Sequence, residues 1–227
     1  MNEGGKLSIV ATPIGNLEDV TLRALRTLKE AVVIYCEDTR VTRKLLDRYE
    51  IKTPTKRLDA NTELTGAKEV INRLMLGEQV AYCTDAGTPC ISDPGYRLVA
   101  AVRQALGDSF TIEAIPGPSA ITTALSIAGV PANSFRFMGF LPHKKGRQTA
   151  LKEIGAEGGT VVLYESSHRI LKLLGELAAA APDREVTIVR EVTKKFEEVQ
   201  IGQAAGLKEF FEEYPEHTKG EFVVVVG

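Results

Sequence analysis

The chain has 227 residues, a formal net charge of −2, 44% hydrophobic residues and 26% charged residues. This length permits one or two domains with a sizeable core, and the composition is that of an ordinary folded, soluble protein. The longest apolar runs fall well short of the roughly 20 residues that cross a bilayer, and the first residues lack the pattern of a secretory signal. We therefore expect a cytoplasmic protein without a membrane-spanning segment.

Two residue types narrow the chemistry further. The three cysteines are odd in number and show no C-x-x-C spacing, which favours reduced thiols. The three histidines do not stand at metal-ligand spacing from another histidine or cysteine, so we expect no metal site. The overall charge gives no sign of nucleic-acid binding, which leaves two local basic segments, His143–Arg147 and Arg190–Lys195, as candidate polyanion sites.

Strand and helix patterns alternate through the first 130 residues. Helices are predicted where apolar residues recur every third or fourth position, with Asp19 or Thr21 capping the first helix and Asp38 the second. The predicted strands of this half are Leu7–Ala11, Ala31–Cys36, Gln79–Cys83 and Phe110–Ile115. Such alternation is typical of an α/β domain with a mainly parallel sheet.

The pattern changes after Gly129–Ser134, where the sequence predicts a domain boundary. Helices become fewer and strands follow one another directly, and Ser166 or Ser167 is expected to cap the helix that carries Ile170. The predicted strands are Phe135–Phe140, Thr160–Glu165, Arg184–Glu191, Glu197–Gln203 and Glu221–Val226. We predict an α/β fold of two α/β domains, residues 1–130 with a mainly parallel sheet and residues 131–227 with a mixed sheet.

Three loops of the first domain are rich in glycine and proline: Thr12–Asn16, Thr84–Pro89 and Pro116–Ala120. Any one of them alone is most simply a turn. All three are expected at the carboxyl edge of a parallel sheet, where ligands bind in such folds. None has the spacing of a Walker loop or of a Rossmann dinucleotide loop, so a nucleoside ligand held in another way fits better than ATP or NAD.

Charged residues follow other strands. Glu37 and Asp38 end a strand and could do acid–base work; equally, Asp38 could cap a helix while Glu37 pairs with Arg40. Glu165 also ends a strand, with Arg169 one turn into the next helix. The segment His143–Arg147 is by default a solvated loop, but it could instead bind phosphates.

Eight motifs together resemble the tetrapyrrole methylase superfamily, the class III S-adenosylmethionine-dependent methyltransferases, and within it the branch that acts on small-subunit ribosomal RNA. They run in order from near the first residue to the last, which makes a chance match unlikely. The motifs are "VATPIGNLED", "CEDTR", "TDAGTPCISDPG", "IPGPSA", "GFLPHKKGR", "YESSHR", "REVTKKFEE" and "KGEFVVVVG".

This resemblance implies a two-domain fold with the methyl donor, S-adenosylmethionine, in a cleft between the domains. It implies 2′-O-methylation of a cytidine in the decoding region of 16S rRNA, free or in the 30S subunit, by a homodimer that needs no metal. The donor contacts implied by the motifs are Pro13, Asp85, Ala86, Gly87, Thr88, Ser119, Ala120, Tyr164 and Glu221.

The implied reaction is an in-line displacement at the sulfonium methyl by a ribose hydroxyl, which must lose its proton. The candidate groups for assisting that proton loss are Glu37, Asp38, Glu165 and Lys194, and the sequence does not rank them. A basic rim is expected to contact RNA phosphates. Its candidate members are Arg40, Arg43, Lys144, Lys145, Arg147, Arg169, Arg190, Lys194 and Lys195.

Two other functions stay open at this stage. A methyltransferase acting on a tetrapyrrole or other small molecule would share the donor loops but would not need the two basic segments. A non-catalytic RNA- or nucleoside-binding module would not need Asp85 and the Thr88–Pro89 turn beside an open pocket. Family members usually continue beyond the "VVVVG" with which this sequence stops, and if that further region helps to bind RNA, we expect this chain to bind donor but to methylate poorly.

Overall fold

The computed structural model describes residues 5–107 and 110–227. The chain divides into two compact units, Met1–Ser119 and Ala120–Gly227. The boundary predicted at residues 130 and 131 lies beyond this division, on the far side of the helix Ala120–Ile127. Sequence patterns place that helix with the loop before it, whereas its contacts place it with the strands that follow.

The first unit is built on a parallel five-stranded sheet in the order β3-β2-β4-β1-β5. The strands are β1 Lys6–Val10, β2 Val33–Cys36, β3 Thr55–Arg57, β4 Gln79–Cys83 and β5 Thr111–Ile115. The helices are α1 Leu22–Glu30, α2 Thr39–Arg48, α3 Glu63–Met75 and α4 Tyr96–Leu106. The four predicted strands are confirmed. The short edge strand β3 was not predicted, since its three residues carry no apolar run.

Apolar packing on both faces explains why β2 and β4 are continuous apolar runs. One face packs against Leu28 of α1 and Leu46 of α2, and the other against Leu74 of α3 and Leu98 of α4. Helix starts follow local hydrogen bonds: the Thr21 hydroxyl accepts from the Ala24 backbone N–H and caps α1. Of the two residues predicted to cap α1, Thr21 is therefore confirmed.

The second unit has a mixed five-stranded sheet, as the sequence predicted. The strand order, which the sequence did not predict, is β6-β7-β10-β8-β9. Its strands are β6 Phe135–Phe140, β7 Thr160–Ser166, β8 Glu185–Arg190, β9 Glu198–Gln203 and β10 Glu221–Val226. Its helices are α5 Ala120–Ile127, α6 Arg147–Ala156, α7 Ile170–Ala180 and α8 Ala204–Glu213.

A single apolar core joins one face of this sheet to α6, α7 and α8, with Leu151, Leu174 and Phe211 fully enclosed. The predicted serine cap of α7 is wrong. The N-cap residue is Arg169, which makes no side-chain capping bond, because the backbone turns once more between β7 and the helix. None of the helices in the described ranges is both long and apolar enough to cross a membrane.

Candidate active site

The loops after β1 and β4 are joined at the carboxyl edge of the first sheet. Thr12 and Gly87 form an isolated antiparallel bridge, with N···O distances of 2.9 Å from Thr12 to Gly87 and 3.1 Å in reverse. The buried Thr12 hydroxyl also donates to the Thr84 carbonyl oxygen at 3.2 Å. These bonds fix the segment Thr84–Pro89 beside the segment Thr12–Asn16.

The third loop, after β5, joins the same cluster. The Thr88 hydroxyl donates to the Pro118 carbonyl oxygen at 3.2 Å, and the Ala11 backbone N–H donates to the Ile115 carbonyl oxygen at 3.1 Å. The expectation that the three glycine- and proline-rich loops meet at one sheet edge is therefore confirmed. We call this set, residues 12–16, 84–89 and 116–119, the three-loop cluster.

Two glycines of the three-loop cluster stand where a larger residue would be crowded. Gly87 has φ of +79°, which is strained for other residues, and a Cβ there would lie 3.3 Å from Ile14 Cγ2. A Cβ on Gly117 would approach the Ala11 Cβ to 3.0 Å. The two glycines therefore allow the loops of the cluster to pack closely against Ile14 and Ala11.

The segment after β2 is tied to the three-loop cluster by a hydrogen bond between Asp38 and Asp85. The Asp85 carboxylate accepts from the Asp38 backbone N–H at 3.0 Å. Asp38 caps α2, accepting from the Arg40 backbone N–H at 2.8 Å, and it also holds the Arg40 guanidinium at 2.6 Å. The capping interpretation of Asp38 is confirmed, but Arg40 pairs with Asp38 rather than with Glu37.

Three carboxyl groups near this edge have pKa values raised above their ordinary range. Burial, together with the charge of Asp85, raises the pKa of Glu37 above its ordinary value. Burial also raises the pKa of Asp85. For Asp93, burial and the charges of Glu37 and Asp85 raise the pKa to about 6. Asp38 goes the other way, since hydrogen bonds from Arg40 hold its pKa well below the usual range.

Sequence reasoning missed two buried polar residues near the loop after β4, of which Glu63 supports that loop. Glu63, at the start of α3, accepts from the Gly95 and Leu98 backbone N–H groups at 2.9 and 3.0 Å and so caps α4 from another helix. The buried Tyr82 hydroxyl has no hydrogen-bond partner among the described residues, and burial strongly raises its pKa. Neither residue stands in a motif, and only the packing of α3 on α4 reveals Glu63.

In the second unit, Glu165 is the centre of a buried ion-pair cluster. Its carboxylate lies 3.2 Å from Arg169 Nε and 3.9 Å from Arg147 Nη2. Arg147 is 3% exposed and binds Glu176 through Nε and Nη2, at 2.8 and 2.6 Å. The predicted phosphate contact by Arg147 is therefore wrong, because its guanidinium faces inward and its charge is already matched.

The same arginines hold the loop that carries the first basic segment. Arg147 donates to the Pro142 carbonyl oxygen at 3.2 Å, and Arg169 donates to the Leu141 carbonyl oxygen at 2.5 Å. Lys144 and Lys145, which lie on the loop between Pro142 and Arg147, are exposed. The arginines thus shape this loop from inside, and the two lysines remain its available cations.

Lys194 and Arg190 are also matched by carboxylates. Lys194 Nζ lies 2.9 Å from Glu191 and 2.6 Å from Glu221. Burial lowers the pKa of Lys194, but the hydrogen bonds that its ammonium donates to Glu221 and Glu191 outweigh burial, so the net shift is upward. A base needs the opposite shift, which contradicts a base role for Lys194. Arg190 is largely buried and pairs with Glu198 at 3.1 Å, which contradicts its predicted RNA contact.

The remaining predicted residues are spread over both units. Tyr164 packs edge-on against Phe137, with ring centroids 5.0 Å apart, and Ala120 begins α5. Arg43 reaches the Thr55 hydroxyl at 3.4 Å. In the two described ranges no group of three or more histidine, cysteine or acidic side chains is placed to hold a metal ion.

The fold is that of a class of methyltransferases. It is similar to the solved structure of uroporphyrin-III C-methyltransferase from Thermus thermophilus complexed with S-adenosylhomocysteine, with a TM-score of 0.64 at 17% identity. The match covers 98% of this chain and 97% of that one. Residues 6–208 match the family of Tetrapyrrole (Corrin/Porphyrin) Methylases. The chain belongs to this family and is a methyltransferase.

Two relatives place the chain within the family. It is 42% identical to the ribosomal RNA small subunit methyltransferase I of Thermotoga maritima, a match that covers 98% of both sequences. It is 44% identical to the protein of the same name from Xylella fastidiosa, over 100% of this chain and 82% of that protein. The resemblance inferred from the eight motifs is confirmed.

Proposed function

We propose that this protein transfers a methyl group from S-adenosylmethionine to the ribose 2′-oxygen of a cytidine in the decoding region of 16S rRNA. The observation that carries the proposal is the three-loop cluster, in which Thr12 and Gly87 exchange backbone hydrogen bonds and Thr88 donates to the Pro118 carbonyl oxygen. The names of the whole-length relatives support the RNA substrate. We expect the reaction in the cytoplasm and the active form to be a homodimer.

The three-loop cluster fits a nucleoside-type ligand. Gly87 and Gly117 let its loops pack closely against Ile14 and Ala11, and prolines restrict its backbone, so the loops form a preformed support for a ligand. S-Adenosylmethionine supplies a methyl group already activated by the sulfonium charge. The residues expected to contact it in the first unit are Pro13, Asp85, Ala86, Gly87, Thr88 and Ser119; Ala120, Tyr164 and Glu221 stay predictions.

Among the four candidate groups, Glu37 has the environment of a proton acceptor. Its pKa is raised by burial and by Asp85, which brings a carboxylate closer to the basicity that proton abstraction needs. Asp38 is held ionised by Arg40, and Glu165 is enclosed by two arginines. We therefore assign proton removal from the ribose hydroxyl to Glu37.

Lys144 and Lys145 are the best-supported phosphate contacts. Both are exposed on a loop whose backbone Arg147 and Arg169 hold from inside, so the ammonium groups are presented on a fixed support. Such contacts release counterions, which makes the affinity fall with salt. Replacing both lysines by alanine should reduce the slope of log K against log salt by about 2.

The decisive experiment is transfer of labelled methyl groups to 30S subunits, with free 16S rRNA and tetrapyrrole precursors as competing acceptors. We expect label on RNA, at a cytidine that becomes resistant to alkaline cleavage at its 3′ side. Label on the tetrapyrrole would overturn the RNA assignment. Glu37→Gln should lower kcat by about 100-fold with donor affinity unchanged, as expected for the loss of a general base.

A further inference from the structure

Both basic segments of the second unit lie at one edge of its sheet. Strands β6, β7 and β8 end there and β10 begins there, as shown by the pairs Phe140 with Tyr164, Glu221 with Ser166 and Phe222 with Arg190. Three strand spacings separate β6 from β8, which corresponds to about 14 Å. The loop with Lys144 and Lys145 and the loop after β8 therefore share an edge.

The loop after β8, residues 191–197, has an unusual and well-braced backbone. Glu191 and Thr193 have φ of 49° and 67°, in the left-handed region that a β-branched residue such as Thr193 seldom adopts. The conformation is held by Lys194, which links Glu191 to Glu221, and by Glu197, which accepts from the Thr193 backbone N–H at 2.5 Å. Such strain persists only where surrounding contacts enforce it, and it is concentrated at functional positions.

The braced loop presents one aromatic side chain to solvent. Phe196 is 63% exposed, although the loop that carries it is fixed on both sides. The Lys195 ammonium lies 5.5 Å from the centre of the Phe196 ring. In contrast to Lys194 and Arg190, whose charges are taken up by Glu191 and Glu198, this lysine is exposed beside the ring.

An exposed ring beside a lysine, on a rigid support, is the arrangement that binds unpaired bases. We propose that Phe196 stacks on an unpaired base of the RNA and that Lys195 contacts the adjoining phosphate. The proposal rests on the proposed function and adds to it a residue that selects single-stranded RNA. The cations at the edge favour a nucleic acid over a protein as the partner.

The test measures the affinity of the full chain for a labelled single-stranded RNA and for 30S subunits at several salt concentrations. Phe196→Ala should weaken RNA binding roughly fivefold to a hundredfold, since a stacked base contributes about that much. The slope of log K against log salt should be unchanged for Phe196→Ala. For Lys195→Ala the slope should fall by about 1, because one phosphate contact is lost. Phe196→Tyr should restore binding, because it keeps the ring.

Ile201→Ala is the matched control, since Ile201 is an apolar side chain of similar exposure, 52%, on the neighbouring strand β9. It should bind RNA like the parent chain. Equal RNA affinity of Phe196→Ala and the parent would overturn the stacking role. If Phe196→Ala also had a different molecular mass in solution from the parent, Phe196 would be a protein contact instead. If the parent chain methylates no RNA but binds donor, the proposed function fails; if it methylates RNA and Phe196→Ala does so equally well, only the inference fails.

Discussion

Thr12 and Gly87 exchange two backbone hydrogen bonds, of 2.9 and 3.1 Å, although 75 residues separate them in the chain. The bridge is antiparallel, unlike the parallel pairing of β1 with β4, and it holds the loops that follow the two strands side by side. A ligand that binds the backbone of both loops finds them already in place, so less conformational entropy is lost on binding.

Gly87→Ala should damage this bridge. The new Cβ would sit 3.3 Å from Ile14 Cγ2 at φ of +79°, which we expect to cost about 1–2 kcal/mol of stability and to weaken donor binding about tenfold. Calorimetric titration with S-adenosylmethionine and thermal unfolding measure the two effects. Gly158→Ala is the control, because a Cβ there meets open space. Unchanged donor affinity in Gly87→Ala would contradict a donor-binding role for this loop.

Glu63→Ala should destabilise the first unit through α4. The buried carboxylate accepts two backbone N–H groups at the start of α4, and their loss leaves both donors unpaired. We expect a loss of about 2–3 kcal/mol in the free energy of unfolding, measured with urea, and a smaller loss for Glu63→Gln, which keeps an acceptor oxygen. Glu18→Ala, at an exposed position, serves as control. Equal stability of the Ala and Gln variants would argue against the capping role.

Arg147→Ala should lower stability far more than it lowers RNA affinity. Removing the guanidinium leaves Glu165 and Glu176 without its charge in a buried position, at a cost of about 3–5 kcal/mol. Lys145→Ala, two residues away and exposed, should leave stability unchanged and weaken RNA binding. Urea unfolding and RNA titration of both variants separate the roles. A stable Arg147→Ala variant with weak RNA binding would show that the guanidinium faces RNA after all.

Asp93→Asn should stabilise the protein in a pH-dependent way. Burial and the charges of Glu37 and Asp85 raise the folded-state pKa of Asp93 to about 6, so the folded chain holds this proton more tightly than the unfolded chain does. The unfavourable contribution of ionised Asp93 therefore appears as pH rises from about 4 to 6 and is complete above that range.

The stability difference between Asp93→Asn and the parent should accordingly grow from pH 4 to pH 7. Thermal unfolding across that range measures it, with the same substitution at the exposed Asp183 as the control. A difference that stays constant with pH would mean that Asp93 is not the titrating group.

Local patterns were enough to predict most of the secondary structure. Buried strands such as β4 are continuous apolar runs, and the caps by Thr21 and Asp38 involve residues within three positions of each other. The motifs were enough to predict the family, since their residues and their order can be read from the chain without knowledge of its packing. The edge strand β3 was missed because Thr55–Arg57 has neither an apolar run nor alternation.

The roles of the charged residues were predicted less well. In the sequence, Arg147 and Lys145 are neighbours of equal charge, yet one is enclosed by Glu176 and Glu165 and the other is exposed. The same holds for Arg190, which pairs with Glu198, and for Lys195, which lies beside Phe196. Which cation is available depends on partners that are distant in the chain.

The sequence by itself determined the two α/β domains, the three glycine- and proline-rich loops and the methyltransferase family, because apolar periodicity, turn residues and motif order can be read directly from the chain. Only the tertiary structure decided that Thr12 meets Gly87, that Glu63 caps a different helix and that Glu37 has a raised pKa. Burial and the electrostatic field at a side chain are set by residues brought together through folding, so no local pattern contains them.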